Sequence, residues 1–265
     1  MMRQQRTLRH VIGCAGVGLH SGARVGLTLC PAAESSGIQF RRADRPGAQA
    51  IRADLDHVVG SDFVTSLRGR TGGDIRMIEH LMAALATCQI DNVLVEITGP
   101  EVPVMDGSAQ AFVHLVECAG AVDQEEPVQH LQLLRPLSAN SVDGHARLEP
   151  ANGLELVLKR GNGPDARRFA FAFSPEACKQ QLVAARHGVD GPTPNGPCTD
   201  EALRHAALDV LGDLALIPGR LQARYTESGA DPVLRRSLLR QLLSDPANCR
   251  LTGARPAAPQ MAYAS

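Results

Sequence analysis

Two short stretches of this 265-residue chain set metal-binding and proton-transferring side chains at spacings that matter. Glu79 and His80 are consecutive, so on a helix their side chains diverge by about 100° and can still line one cleft. His205 and Asp209 are four apart, which puts an imidazole and a carboxylate on one helical face, able to converge on one ion. Alone, the first pair reads as a solvated Glu beside a buried His, and the second as a capping or ion-pair arrangement. Together His80, His205 and Asp209 supply two nitrogens and one carboxylate, a set suited to tetrahedral catalytic zinc with its fourth position open to water. Glu79, beside a ligand, is then placed to take the water proton as general base. The Glu-His order differs from HExxH, which excludes a thermolysin-type helix. Asp213, one further turn along from Asp209, is a candidate to orient a neighbouring group.

Two helices must carry these groups. Met77, Leu81, Leu85 and Cys88 recur at helical spacing with alanines between them, predicting a helix over Arg76–Cys88. Asp200–Ile217 predicts a long amphipathic helix, capped by Thr199 or Asp200 and stopped by Pro218-Gly219. Further helices are predicted over Ala109–Ala119, closed by Gly120, and over Pro232–Ser244. Strands are predicted at Val25–Cys30, Asn92–Ile97, 129–134, 144–149 and 153–159. The charged run at 123–127 reads as a connector, and the Pro/Gly-dense run at 190–197 as a loop. Each half thus runs strands then helices. The expectation is an α+β chain of two units, an N-terminal domain over 1–124 and a C-terminal domain over 128–251, with a frayed tail over 252–265.

Composition removes several classes. A hydrophobic fraction of 44%, with 25 Gly and 17 Pro in no period, excludes collagen-like and low-complexity chains. The net charge of -1 and the absence of Trp argue against a nucleic-acid partner, which needs a basic surface and stacking platforms. No apolar run approaches the ~20 residues of a membrane span, and no signal-like apolar stretch follows the first basic residues. Seven dispersed cysteines without a CxxC pair read as reduced thiols, so a cytoplasmic protein is expected. Ser21 lacks the context of a nucleophile elbow, and Gly16-x-Gly18 lacks the third glycine of a dinucleotide fingerprint. His10, His57, His114, His130 and His145 have no partners at ligand spacing.

A resemblance runs through nearly the whole chain. GlyValGlyLeuHisSerGly at 16–22, MetIleGluHisLeuMetAlaAlaLeuAla at 77–86, IleAspAsn at 90–92 and GlyProGluValProValMetAspGlySerAla at 99–109 carry it. So do ArgHis at 204–205 and LeuAspValLeuGlyAspLeuAlaLeu at 208–216. These closely resemble the UDP-3-O-acyl-N-acetylglucosamine deacetylases, zinc amidases of lipid A synthesis. The resemblance implies a two-domain α/β sandwich, each domain a sheet packed with helices, with the active site between the domains. It implies Zn2+ on His80, His205 and Asp209, Glu79 as base, and a monomer acting on a small N-acyl substrate. Asp106, in MetAspGlySerAla, looks like part of the site, although a turn role serves equally; His20 is a further candidate for support or substrate contact.

Departures from the family pattern bear on the substrate. Ala206 stands where the family has a lysine, Ala230 where it has a catalytic histidine, and Glu227 where a basic residue is usual. The insert that forms the family's acyl passage is missing, and the family's substrate-contacting segment is reduced to Arg186-His187-Gly188-Val189-Asp190. A diphosphate needs cations, and a long acyl chain needs an apolar passage. The expectation is therefore an altered, non-UDP acylamide, with His187 a candidate replacement for the imidazole. Two alternatives stand beside it: the lipid A pathway deacetylase itself, and a non-catalytic zinc-binding relative.

Overall fold

The computed structural model describes residues 3–60, 64–71, 73–142, 144–161, 166–186, 200–229 and 231–253. The chain opens with β1 (Gln4–Leu8), β2 (Ile12–Val17), β3 (Arg24–Pro31), β4 (Ile38–Arg42) and β5 (Ile51–Arg52). Three short strands follow, β6 (Val58–Val59), β7 (Ser66–Arg68) and β8 (Asp74–Arg76), and lead into α1 (Glu79–Thr87). Then come β9 (Val93–Ile97), α2 (Gln110–Ala119) and β10 (Ala121–Pro127). The second half holds β11 (His130–Leu133), β12 (Leu137–Asn140), β13 (His145–Pro150), β14 (Leu154–Arg160) and β15 (Arg167–Ala172). It continues with α3 (Pro175–Gln181), α4 (Asp200–Leu214), β16 (Arg220–Ser228), α5 (Pro232–Ser244) and β17 (Cys249–Thr252).

The architecture is α+β, a two-domain α/β sandwich. In the first half β2-β3-β9-β4-β5 form a five-stranded sheet and β6-β7-β8 a three-stranded one. In the second half β16 is the shared strand of a seven-stranded sheet, antiparallel to β13 and parallel to β14 and β11. Period-two patterning explains how these sheets face helices: Val25, Leu27 and Leu29 of β3 and Val93, Val95 and Ile97 of β9 are buried on one face. Along β16 the inward positions are Leu221, Ala223, Tyr225 and Glu227. Helix α1, buried through Leu81–Leu85, packs on α2 of its own half and most extensively on α4 of the other.

Several elements depart from the sequence expectation. Helix α1 starts at Glu79, not Arg76, because Arg76 ends β8 and bonds to Pro100 and Val102, and Met77 takes a left-handed φ of 61°. Helix α4 ends at Leu214 instead of Ile217; its last turn tightens, with Leu216 N–H donating to the Asp213 carbonyl, before Gly219 turns the chain at φ 73°. The charged run at 123–127, read as a connector, is part of β10, paired antiparallel with β1. A two-stranded ribbon needs no apolar face, so Arg6 and Asp123 can sit opposite each other as an ion pair at 3.3 Å. Thr252 pairs with His130 in β17, so the tail is ordered to that point. The loop at 190–197, Thr199 and the tail beyond residue 253 lie outside the described residues. The six described cysteines are free thiols, and no described helix is long and apolar enough to cross a membrane.

Candidate metal centre

Helices from the two halves meet at a glycine. A Cβ on Gly212 of α4 would lie 2.9 Å from the Cα and carbonyl carbon of Glu79, and closer still to its carbonyl oxygen. Only the missing side chain lets α4 touch the first turn of α1. That contact puts Glu79 and His80, at the start of α1, against His205 and Asp209, one turn apart along α4.

The three expected ligands come together. His80 Nε2 lies 2.9 Å from His205 Nε2 and 3.3 Å from Asp209 Oδ1, and one donor atom from each residue falls within 4.8 Å of the others. Ligand atoms about 2.0–2.1 Å from a tetrahedral zinc stand about 3.3 Å apart. Two imidazoles and one carboxylate at these separations fit such an ion. The rings meet edge to face, with centroids 4.9 Å apart, and His205 Nδ1 lies 3.3 Å from Asp209 Oδ2. Burial would raise the Asp209 carboxyl, but the His205 and His80 imidazoles outweigh it and hold it down at about 2. Burial would likewise lower His80, yet its bond to Asp209 and the nearby charges of Asp209, Glu79 and Asp106 raise it.

Glu79 is of the other kind. Burial, then the carboxylates of Asp213 and Asp209, push its carboxyl up to about 7, against the stabilising backbone N–H of Thr65, which donates to Oε1. A carboxyl near neutrality beside a ligand set can both take and return a proton.

The remaining candidates divide. Asp213 bonds to Thr65 and Arg235. Its Oδ1 accepts from the Thr65 hydroxyl at 2.7 Å and its Oδ2 from Arg235 Nη1 at 2.6 Å. Asp106 holds a turn, accepting from the backbone and hydroxyl of Ser108 at 3.1 and 2.8 Å, and pairs with Arg186 at 3.2 Å; its charge also reaches His80. His20 sits in an exposed loop, where its backbone N–H and that of Ser21 donate to Glu101 Oε1, and it is not among the clustered donor atoms. His187 and Ala230 lie outside the described residues. Ala206 is half-buried against the core.

Glu227 requires a correction. The sequence reading makes it a negative charge on the substrate wall; the structure buries it completely. As the inward residue of β16 it accepts from Tyr225 Oη at 2.6 Å, Arg160 Nη2 at 2.8 Å and Arg235 Nε at 3.1 Å. These partners hold its carboxyl low against burial, so it adds no repulsion at the cleft.

Sequence reasoning missed Gly212, Thr65 and Arg235. The first had a signal, a glycine inside a helical pattern. So did the third, since Arg235 falls on the same α5 stripe as the buried Leu234, Leu238, Leu239 and Leu242. Thr65 had none.

Residues 5–188 match the profile of a family described as UDP-3-O-acyl N-acetylglycosamine deacetylase. The chain is similar to a UDP-3-O-acyl-N-acetylglucosamine deacetylase of Acidithiobacillus ferrooxidans, 36% identical over 278 residues, covering 91% of this chain and 90% of the relative. It is equally similar to the enzyme of that name from Myxococcus xanthus, 36% identical with 95% and 90% covered. The one from Xanthomonas campestris is 34% identical, with 93% and 92% covered. The first of these alignments is 278 residues long and the chain has 265, so this chain is shortened by internal deletion relative to that protein.

Proposed function

The chain belongs to the UDP-3-O-acyl N-acetylglycosamine deacetylase family, and from that premise we propose that it is a zinc-dependent N-deacetylase of an acylated amino sugar or related acylamide. The observation that carries this is the meeting of His80, His205 and Asp209, from two halves of the fold, beside the carboxyl of Glu79. His80, His205 and Asp209 would hold the zinc. Zinc bound there supplies Lewis acidity, polarising an acyl carbonyl and lowering the pKa of water from about 15.7 toward about 7.

Glu79 does the proton work. Its carboxylate takes a proton from the attacking water as the oxygen bonds to the acyl carbon, and returns that proton to the nitrogen as the C–N bond breaks. A carboxyl raised by burial is the stronger base for the water proton, and once it carries that proton it is the acid that the leaving nitrogen needs. The Thr65 N–H ties Oε1 and orients the carboxylate, dedicating the second oxygen to transfer. Asp106, through its charge at His80 and its bonds to Ser108 and Arg186, supports the rim of the cleft. The cleft lies between two units that we divide as 1–124 and 128–251, within a cytoplasmic monomer; the free cysteines support a reducing compartment.

For the amine carrier we favour a group other than the UDP sugar. Ala206 supplies no cation for a diphosphate, and the chain is shortened against its relatives. The buried and paired Glu227 gives this no support. Identity of 36% across nine-tenths of each chain favours the second reading, the pathway deacetylase itself. The test is acetate release by the zinc-loaded protein from UDP-3-O-acyl-N-acetylglucosamine and from simple N-acetylated amino sugars. Release abolished by Glu79→Ala is expected, and no release from any acylamide refutes the hydrolase. Turnover of the UDP-linked substrate above all others refutes the altered carrier.

A further inference from the structure

The geometry points to Thr65 and Arg235 as positioning residues for Glu79, joined through Asp213 in a buried relay that fixes where the base carboxylate sits; their role rests on that of Glu79 proposed above. Thr65 belongs to neither helix. It precedes β7, is 2% exposed, and bonds with both of its donors: the backbone N–H to Glu79 Oε1 and the hydroxyl to Asp213 Oδ1 at 2.7 Å. Asp213, 1% exposed, turns its other oxygen to Arg235 Nη1 at 2.6 Å. Arg235, 3% exposed, continues through Nε to Glu227 Oε2 at 3.1 Å. Tyr225 and Arg160 clamp that last carboxylate at 2.6 and 2.8 Å. The relay therefore runs from the base to an anchor in the second-half sheet, crossing α4 and α5 on the way.

Stability alone does not call for such a device. Two carboxylates and a guanidinium drawn out of water are costly, and well-packed apolar residues usually serve a core as well or better. What the relay adds is definition. A threonine amide can hold a carboxylate oxygen only if its own backbone is held, and the bond from its hydroxyl to Asp213 provides that hold. Arg235 in turn neutralises Asp213 and keeps its second oxygen occupied, so that Oδ1 stays turned to Thr65. A general base must stand within hydrogen-bond reach of its proton, and a misplacement near 1 Å costs about 10²-fold in rate.

The decisive variant is Thr65→Val, which keeps shape and backbone amide and removes only the hydroxyl. With the zinc-loaded protein, kcat is expected to fall roughly 10–100-fold with KM and zinc content unchanged, and Thr65→Ser to restore most of it. A second readout does not need turnover: the amide proton of residue 65, displaced downfield by the Glu79 carboxylate, is followed by NMR. Glu79→Ala should abolish that displacement, and Thr65→Val and Arg235→Met should reduce it. Thr65→Val with undiminished kcat and an undiminished displacement overturns the relay. Should the wild-type protein hydrolyse nothing, the deacetylase reading falls, while the residue-65 amide in Thr65→Val still decides for or against the relay.

Discussion

Gly212→Ala separates two effects that sequence rules confuse. By helix propensity alone the change should stabilise α4 by about 0.5–1 kcal/mol, because glycine in a helix interior is entropically costly. The structure reverses that expectation. The new Cβ would meet Glu79 Cα and C at 2.9 Å, where ordinary contact begins near 3.4 Å, so α1 and α4 must part by roughly 0.5–1 Å at the level of the site. Overpacking of this kind costs about 1–3 kcal/mol, leaving a net loss of at most about 2.5 kcal/mol. The effect on the metal is larger in proportion. His80 rides on α1 while His205 and Asp209 ride on α4, and coordination distances tolerate only about ±0.2 Å. Zinc affinity should fall about 10–100-fold, and kcat/KM by roughly 10²-fold at saturating zinc, because Glu79 moves with α1. Chelator competition gives the affinity, urea unfolding the stability, and acetate release the rate. A Gly212→Ala protein that binds zinc as tightly as wild type and turns over normally would refute the claim that helix contact sets the site.

Other perturbations have outcomes that are simpler to state. His80→Ala should lower bound zinc from one per chain to none by metal analysis, since two donors do not make a structural or catalytic site. Asp91 binds the guanidinium of Arg3 at 2.7 Å and of Arg220 at 3.0 Å and accepts from the Arg6 backbone at 2.9 Å, tying β1 to β16. Asp91→Ala should therefore cost about 1–3 kcal/mol in urea unfolding without changing zinc stoichiometry. Glu227→Gln takes the carboxylate from Arg160 and leaves Arg235 with Asp213 alone, and should cost about 3–5 kcal/mol at pH 7. Because the Glu227 carboxyl is held below its ordinary value, its contribution is full above the unfolded value, about 4.3, and is lost as pH falls through the folded one. The gap in unfolding midpoint between wild type and Glu227→Gln should narrow as pH falls from 5 to 3, and a constant gap would contradict the buried ion pair.

Much of the protein is determined locally. The Met77–Cys88 periodicity, the Asp200 and Pro232 helix starts, and the alternation in β3 and β9 arise from burial along one chain direction, and the helices formed within a few residues of the expected bounds. The donor chemistry is also local: two imidazoles, a carboxylate and a neighbouring Glu are residue types, and i, i+4 spacing puts His205 and Asp209 on one face wherever the helix lies. Whether α1 and α4 touch is a different kind of fact. It depends on Gly212 meeting the backbone of Glu79 across 133 positions of sequence, and no spacing within either helix encodes it. The sign of Glu227 shows the same divide. As a letter it reverses a charge; as the inward residue of β16 it meets Arg160 and Arg235 and ceases to act as an exposed anion. Local pattern settles which face of an element turns inward, whereas the partner waiting there is set only when elements from distant parts of the chain pack.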